Sequence, residues 1–130
     1  MKNKFTATVQ EIESAQGSTL VTFRFGDVAL RSITLDPPVG LAEGSEATLI
    51  IHETRPILSN NPLEGIANTL LGHIESIEEG EMLTRINVKT AGASLSVLTD
   101  TLTFNESSWI IDQKVYLSFK ATDIAIEVNT

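Results

Sequence analysis

Apolar and polar residues alternate at every second position along most of this chain, in short runs separated by Gly, Asp, Pro and Ser. Successive strand residues point to opposite faces, so this period of two predicts strands with one buried face. In the first half the runs are Lys4–Ile12, Ser18–Gly26, Asp27–Leu35 and Ala47–Glu53. In the second they are Leu70–Ile77, Met82–Thr90, Ala93–Thr99 and Val115–Val128. A single stretch, Phe104–Asp112, predicts helix: one or two turns capped by Asn105 and bearing Trp109 and Ile110. The chain is predicted to be all-β.

Near the end the alternation loses phase. Leu117, Phe119 and Ala121 are odd-numbered, whereas Ile124 and Ile126 are even. A slip of one residue predicts a β-bulge or a break in strand pairing. A bulge turns amide N–H groups outward, and beside Lys120 and Thr122 they would make a seat for a compact oxyanion. The same residues also fit a lysine guarding a strand edge where the strand simply ends. Both readings stay open at this point. The first half slips in the same way after Leu49 and Ile51, at His52-Glu53-Thr54, which Arg55-Pro56 follow. There a neutral His52 could donate a hydrogen bond to an anion and would add charge only when protonated.

The two halves align. Asn3–Ile12 falls on Asn68–Ile77 at an offset of 65, and Ser32-Ile33-Thr34 falls on Val97-Leu98-Thr99 at the same offset. Further on, Leu49–Thr54 matches Leu117–Thr122 at an offset of 68, so three residues are inserted after Thr99, where the helical stretch is predicted. A tandem duplication of a β unit of about 65 residues accounts for this pattern. The expected division is residues 1–62, including a crossover over Arg55–Leu63, and residues 63–130. Units this small bury little surface alone, so strand exchange or oligomerisation is expected to cover their edges.

Composition narrows the chemistry. Of the 130 residues none is cysteine, which excludes disulfides, thiolate metal sites and cysteine nucleophiles. The start lacks an apolar signal region and no run reaches the ~18 apolar residues of a membrane span, so a cytoplasmic protein without membrane insertion is the simplest reading. The formal net charge of −8 divides as five cations and seven acids in residues 1–62, then four cations and ten acids in residues 63–130. That balance repels phosphate backbones and makes a nucleic-acid-binding protein improbable. It leaves room for a small anion held by one or two local cations and backbone N–H groups.

The remaining candidates carry less. The acidic run Glu75–Glu81 lacks the spacing of a calcium loop and reads as a solvated turn around Gly80. His73 has no second histidine near it for a metal. Ser94, Ser96, Ser107 and Ser108 lie in no nucleophile context, and no nucleotide-binding or metalloprotease motif occurs. Trp109 reads as a core residue closing a barrel end. No enzyme, no metal centre and no organic cofactor are expected.

The stretch Gly65–Ile74, together with Leu98-Thr99 and Lys120–Ile124, resembles the Mop family of molybdate-binding molbindins, whose module is also called the transport-associated OB (TOBE) domain. The match to the family's Lys-Ala-Thr-Asp-Val motif at Lys120–Ile124 is the most specific part, and both repeats fit the module. The arrangement looks most like the paired module at the carboxyl end of molybdate-transporter ATPases, here as a free-standing di-Mop protein. The resemblance implies a five-stranded OB-like barrel per repeat, molybdate or tungstate as ligand, a homo-oligomer, and a molybdate ABC-transporter ATPase as a candidate partner. It also implies the anion ligands. The motif lysine falls on Lys120, followed by Ala121 and Thr122, and on His52 in the first repeat. The mid-module threonine falls on Thr99 and Thr34. The motif asparagine falls on Asn68 and Asn3, the motif serine on Gly65, and the motif arginine on Ala67 and Lys2. Neither repeat therefore keeps the arginine, whose planar fork suits tetrahedral oxyanions. A ligand-poor regulatory module that binds a transporter ATPase or its regulator is the alternative reading.

Overall fold

The structure, a computed structural model, describes residues 1–129. Among the described residues ten strands and one short α-helix follow one another. β1 (Lys2–Ala15), β2 (Ser18–Phe25), β3 (Val28–Thr34) and β4 (Glu46–His52) come first, then a short β5 (Ile57–Ser59). β6 (Asn68–Glu79), β7 (Leu83–Thr90) and β8 (Ser94–Asp100) lead into α1 (Thr101–Ser107), followed by β9 (Lys114–Phe119) and β10 (Ala125–Val128). No helix is long and apolar enough to cross a membrane among the described residues.

The strands form two curled five-stranded antiparallel sheets, ordered β10-β4-β1-β2-β3 and β5-β9-β6-β7-β8. The architecture is a tandem of OB-like barrels. Each barrel takes its outer strand from the other repeat: β10, at the chain's end, pairs with β4, and β5 pairs with β9. The exchange covers edges that would otherwise expose unpaired N–H and C=O groups.

Strand register recurs between the two sheets at the same offsets. Thr19 pairs with Thr34, and Thr84 with Thr99, each 65 residues on. Asn3 pairs with Ile51, and Asn68 with Phe119, which carries the later offset of 68. The exchanged strands obey the same rule, since Leu49 pairs with Ile126 and Leu117 with Leu58. Inward-facing residues of the two barrels pack as one continuous core. Phe23, Leu30, Leu49 and Ile51 are buried in the first barrel, and Ile74, Ile86, Leu117 and Phe119 in the second. Full burial of each such side chain contributes about 1.5–3 kcal/mol.

The bulges lie elsewhere than the sequence phase suggests. Register shifts occur in β1 between Val9 and Glu11, and in β6 between Ile74 and Ser76. They are equivalent positions in the two repeats, and the inward series passes there from Val9 to Ile12 and from Ile74 to Ile77. At Lys120 there is no bulge: β9 ends at Phe119, and Ala121–Asp123 form a 3-10 turn before β10. The slip at Lys120 marks the place where the chain leaves one barrel and enters the other.

The helix also differs from expectation. It spans Thr101–Ser107, and Asp100, not Asn105, is its N-cap, accepting a hydrogen bond from Thr103 N–H at 2.8 Å. That N–H holds the Asp100 carboxyl below the usual carboxylate range. Ser108 ends the helix in the left-handed region (φ 59°), so Trp109 and Ile110 lie beyond it. Trp109 is half-buried against the core rim, and its indole N–H donates to Asn60 Oδ1 at 3.0 Å, tying the insertion to the crossover.

Candidate functional site

Two equivalent turns dominate the region where the barrels exchange strands. After β4 the chain turns through His52-Glu53-Thr54-Arg55, and Arg55 N–H donates to His52 C=O at 3.0 Å. After β9 it turns through Lys120-Ala121-Thr122-Asp123, and Asp123 N–H donates to Lys120 C=O, also at 3.0 Å. The backbone bond is the same. The side chains are used differently.

In the second turn Asp123 folds back, and its Oδ2 accepts from Lys120 N–H at 2.9 Å. The Lys120 side chain is exposed. In the first turn His52 Nδ1 lies 3.3 Å from Thr54 N–H, which donates to it, and 2.9 Å from Thr54 Oγ1. A ring nitrogen that accepts carries no proton in the neutral imidazole, so the hydrogen-bond pattern assigns that proton to Nε2.

The turns meet across an open cavity of about 320 Å³ lined by Lys2, Ile50, His52, Arg55, Thr122, Asp123 and Ala125. Lys2 arrives because β1 pairs with β4 in a register that sets it opposite His52. Thr122 and Asp123 arrive because β10 pairs with β4, setting Ala125 opposite Ile50. The lining has two fixed positive charges, one carboxylate and one imidazole. Donors from Lys2, Arg55 and Thr122 can form charge-assisted hydrogen bonds to an oxyanion, each contributing about 1.5–3 kcal/mol.

Three of the sequence candidates, Lys2, His52 and Thr122, thus share one cavity. The others do not join them. Lys120 lies one step beyond Phe119, the last residue of β9, and outside that cavity. Ala121 is half-buried in the second turn. Thr99 lines a separate cleft of about 180 Å³ with Thr54, Pro56 and Trp109. The Thr34 hydroxyl accepts from Asp36 N–H at 3.3 Å. Gly65 is exposed with φ 75°, a left-handed conformation that glycine adopts without strain.

Asn3 and Asn68 serve a different purpose. Asn3 Nδ2 donates to Ser96 C=O at 2.9 Å, and its Oδ1 accepts from Ser96 N–H at 2.7 Å. Asn68 does the same to Arg31, with distances of 2.9 and 2.7 Å. Ser96 and Arg31 are themselves 65 residues apart, so the two asparagines are one staple used twice. They are 7% and 0% exposed, and each clamps the edge of the opposite barrel. Their side-chain amides are committed to this joint.

Next to the Asn3 staple lies a charged knot with no counterpart. Glu53, 2% exposed, receives Arg85 Nε at 2.9 Å and Nη2 at 3.1 Å, Ser96 Oγ at 2.8 Å and the Met1 ammonium at 3.1 Å. The Arg85 hydrogen bonds lower the Glu53 pKa most, burial opposes them, and Ser96 and the ammonium add to them, leaving it at about 2. At the equivalent positions of the other joint stand Ala121 for Glu53 and Leu20 for Arg85.

The sequence reading passed over Arg55, assigning it to the crossover. Its signal was the offset of 68, which sets it on Asp123 and therefore in the turn. Among the described residues no group of three His, Asp or Glu side chains could hold a metal ion.

No family model matches the sequence, and no curated protein matches it. Among solved structures it is similar to a crystal structure of the cytoplasmic molybdate-binding protein ModG with molybdate bound. The TM-score is 0.90 at 18% sequence identity, over 98% of this chain and 96% of that one. This chain therefore has the fold of that protein over 98% of its length.

Proposed function

We propose that this chain binds molybdate or tungstate non-covalently in the cytoplasm and serves as a buffer or sensor of the anion linked to its transport. The observation that carries this reading is the meeting of Lys2, His52, Arg55 and Thr122 in one open cavity, on a chain whose net charge is −8. A local excess of cations on an acidic protein suits a compact dianion, and a long polyanion would meet the surrounding acids. The molybdate in the structurally similar ModG supports the choice of ligand. On this reading the chain is a binding protein, not an enzyme, and uses no organic cofactor. Lys120, outside that cavity, offers a single charge and is the weaker seat.

Thermal melting with added anion tests the proposal. Molybdate at a hundredfold excess over Kd is expected to stabilise the fold by about 2.7 kcal/mol, with sulfate acting more weakly. No shift up to millimolar molybdate overturns the proposal.

The second reading, a regulatory module that has lost its ligand, is favoured by the absence of the motif arginine from both repeats. It also fits the exposure of Leu35, Val39 and Met82, at 79%, 99% and 80%, as surface for a second copy or for a transporter ATPase. Pull-down with a molybdate-transporter ATPase, with and without molybdate, separates the two readings.

A further inference from the structure

Neutral and charged His52 face opposing influences in this cavity. On its own turn, Thr54 N–H donates to Nδ1, and Arg55 adds a positive charge. From β1, Lys2 sits directly across the strand pair. All three favour the neutral ring. The Asp123 carboxylate, from the exchanged turn, favours the charged ring, but its Oδ2 already accepts from Lys120 N–H. β10 adds Glu127, which lies farther along and faces Lys4 at 4.0 Å. With Thr54 N–H donating to Nδ1, the neutral ring presents Nε2–H to the cavity as a donor. A bound dianion reverses the local sign and draws charge to the ring. The Thr54 hydroxyl lies 2.9 Å from Nδ1 and can rotate from donor to acceptor, so a proton arriving on Nδ1 finds a partner in place.

We propose that this cavity is a proton-coupled oxyanion site: Arg55 and Lys2 seat a tetrahedral dianion, His52 Nε2–H donates to it, and its arrival draws a proton from solvent onto His52 Nδ1. The inference rests on the oxyanion reading above and adds Arg55 as the residue that recognises the ligand's shape. A guanidinium offers two parallel N–H donors to a pair of anion oxygens, which replaces the fork missing from the family motif. Linkage then requires reciprocity: if binding takes up a proton, raising the pH must weaken binding.

Titration calorimetry of the full chain with molybdate at pH 6.5 to 8.5 tests this, using two buffers of different ionisation enthalpy at each pH. The heats should differ between buffers in the direction of proton uptake. The affinity should fall by about tenfold from the lowest to the highest pH, as the hydrogen bond from His52 to the anion loses its charge assistance. His52→Gln keeps an N–H donor but cannot titrate, so it should abolish both the buffer difference and the pH slope. His73→Gln, in the other barrel, should leave both intact. Arg55→Lys should weaken binding by about tenfold at every pH and preserve the slope. Binding without buffer dependence, or a His52→Gln variant that keeps the slope, overturns this inference alone. No binding by the unaltered chain at any pH overturns it together with the oxyanion reading.

Discussion

Residues 52–55 and 120–123 are one turn built twice, closed by the same backbone hydrogen bond at 3.0 Å, with only the threonine shared. In the first, the acid goes inward: Glu53 is buried in the joint between barrels, which leaves His52 and Arg55 facing the cavity. In the second, the acid stays on the surface, where Asp123 binds the turn's own first N–H. Shape is set by the backbone in both cases. Charge is set by which way the carboxylate points, and that depends on whether an arginine waits across the joint.

The largest test of this difference removes the arginine. Arg85→Ala leaves Glu53 buried beside only a hydroxyl and an ammonium, and should cost about 3–5 kcal/mol in urea unfolding. Ala121→Glu, which copies the acid to a joint with Leu20 in place of arginine, should destabilise too, and stabilisation would break the comparison. The same knot predicts an acid limb. The Glu53 pKa is lowered to about 2 from 4.5. Its contribution is fully present above about pH 4.5 and is lost as pH falls through about 2, for a total of about 3 kcal/mol. Glu53→Gln should flatten that limb.

Next come the staples, where the repeats should agree. Asn3→Ala orphans the buried N–H and C=O of Ser96 and Asn68→Ala the part-buried pair of Arg31, and each should cost about 2 kcal/mol. Chemical unfolding that gives clearly unequal costs would show that the Glu53 knot shares the load of the Asn3 staple. The smallest effect belongs to the segment present in one repeat alone. Asp100→Ala removes the helix cap and should cost about 1 kcal/mol in the same assay.

Much of the fold was legible because alternation survives duplication. Strand positions, both offsets and the inserted helix region follow from inward residues recurring at matched intervals. The bulges were legible too, in the steps from Val9 to Ile12 and from Ile74 to Ile77, but the louder slip at Lys120 drew the assignment. A bulge and a three-residue turn change parity alike, and only hydrogen-bond geometry tells them apart. The helix start was obscured because Thr101 and Thr103 are β-branched and read as strand, while Asp100 carried the cap. Asn3 and Asn68 fall on the inward parity with Phe5 and Leu70, and a polar group there must find a partner. That rule points to a joint, but the partners lie 93 and 37 residues away and cannot be read along the chain. The cavity was half legible: Lys2, His52 and Thr122 were candidates, but Thr122 joins the other two only through the exchange of β10.

That exchange has a further consequence. Cut in the crossover, neither half of this chain could close its own sheet, because each carries the outer strand of the other. Two copies of a single half could complete one another, but every substitution in such a pair would appear at both joints. Fusing the halves end to end frees the joints from identity. One turn can then gain Glu53 and Arg85 while its twin keeps alanine and leucine. Linking the repeats gives this chain two independently mutable versions of a single surface.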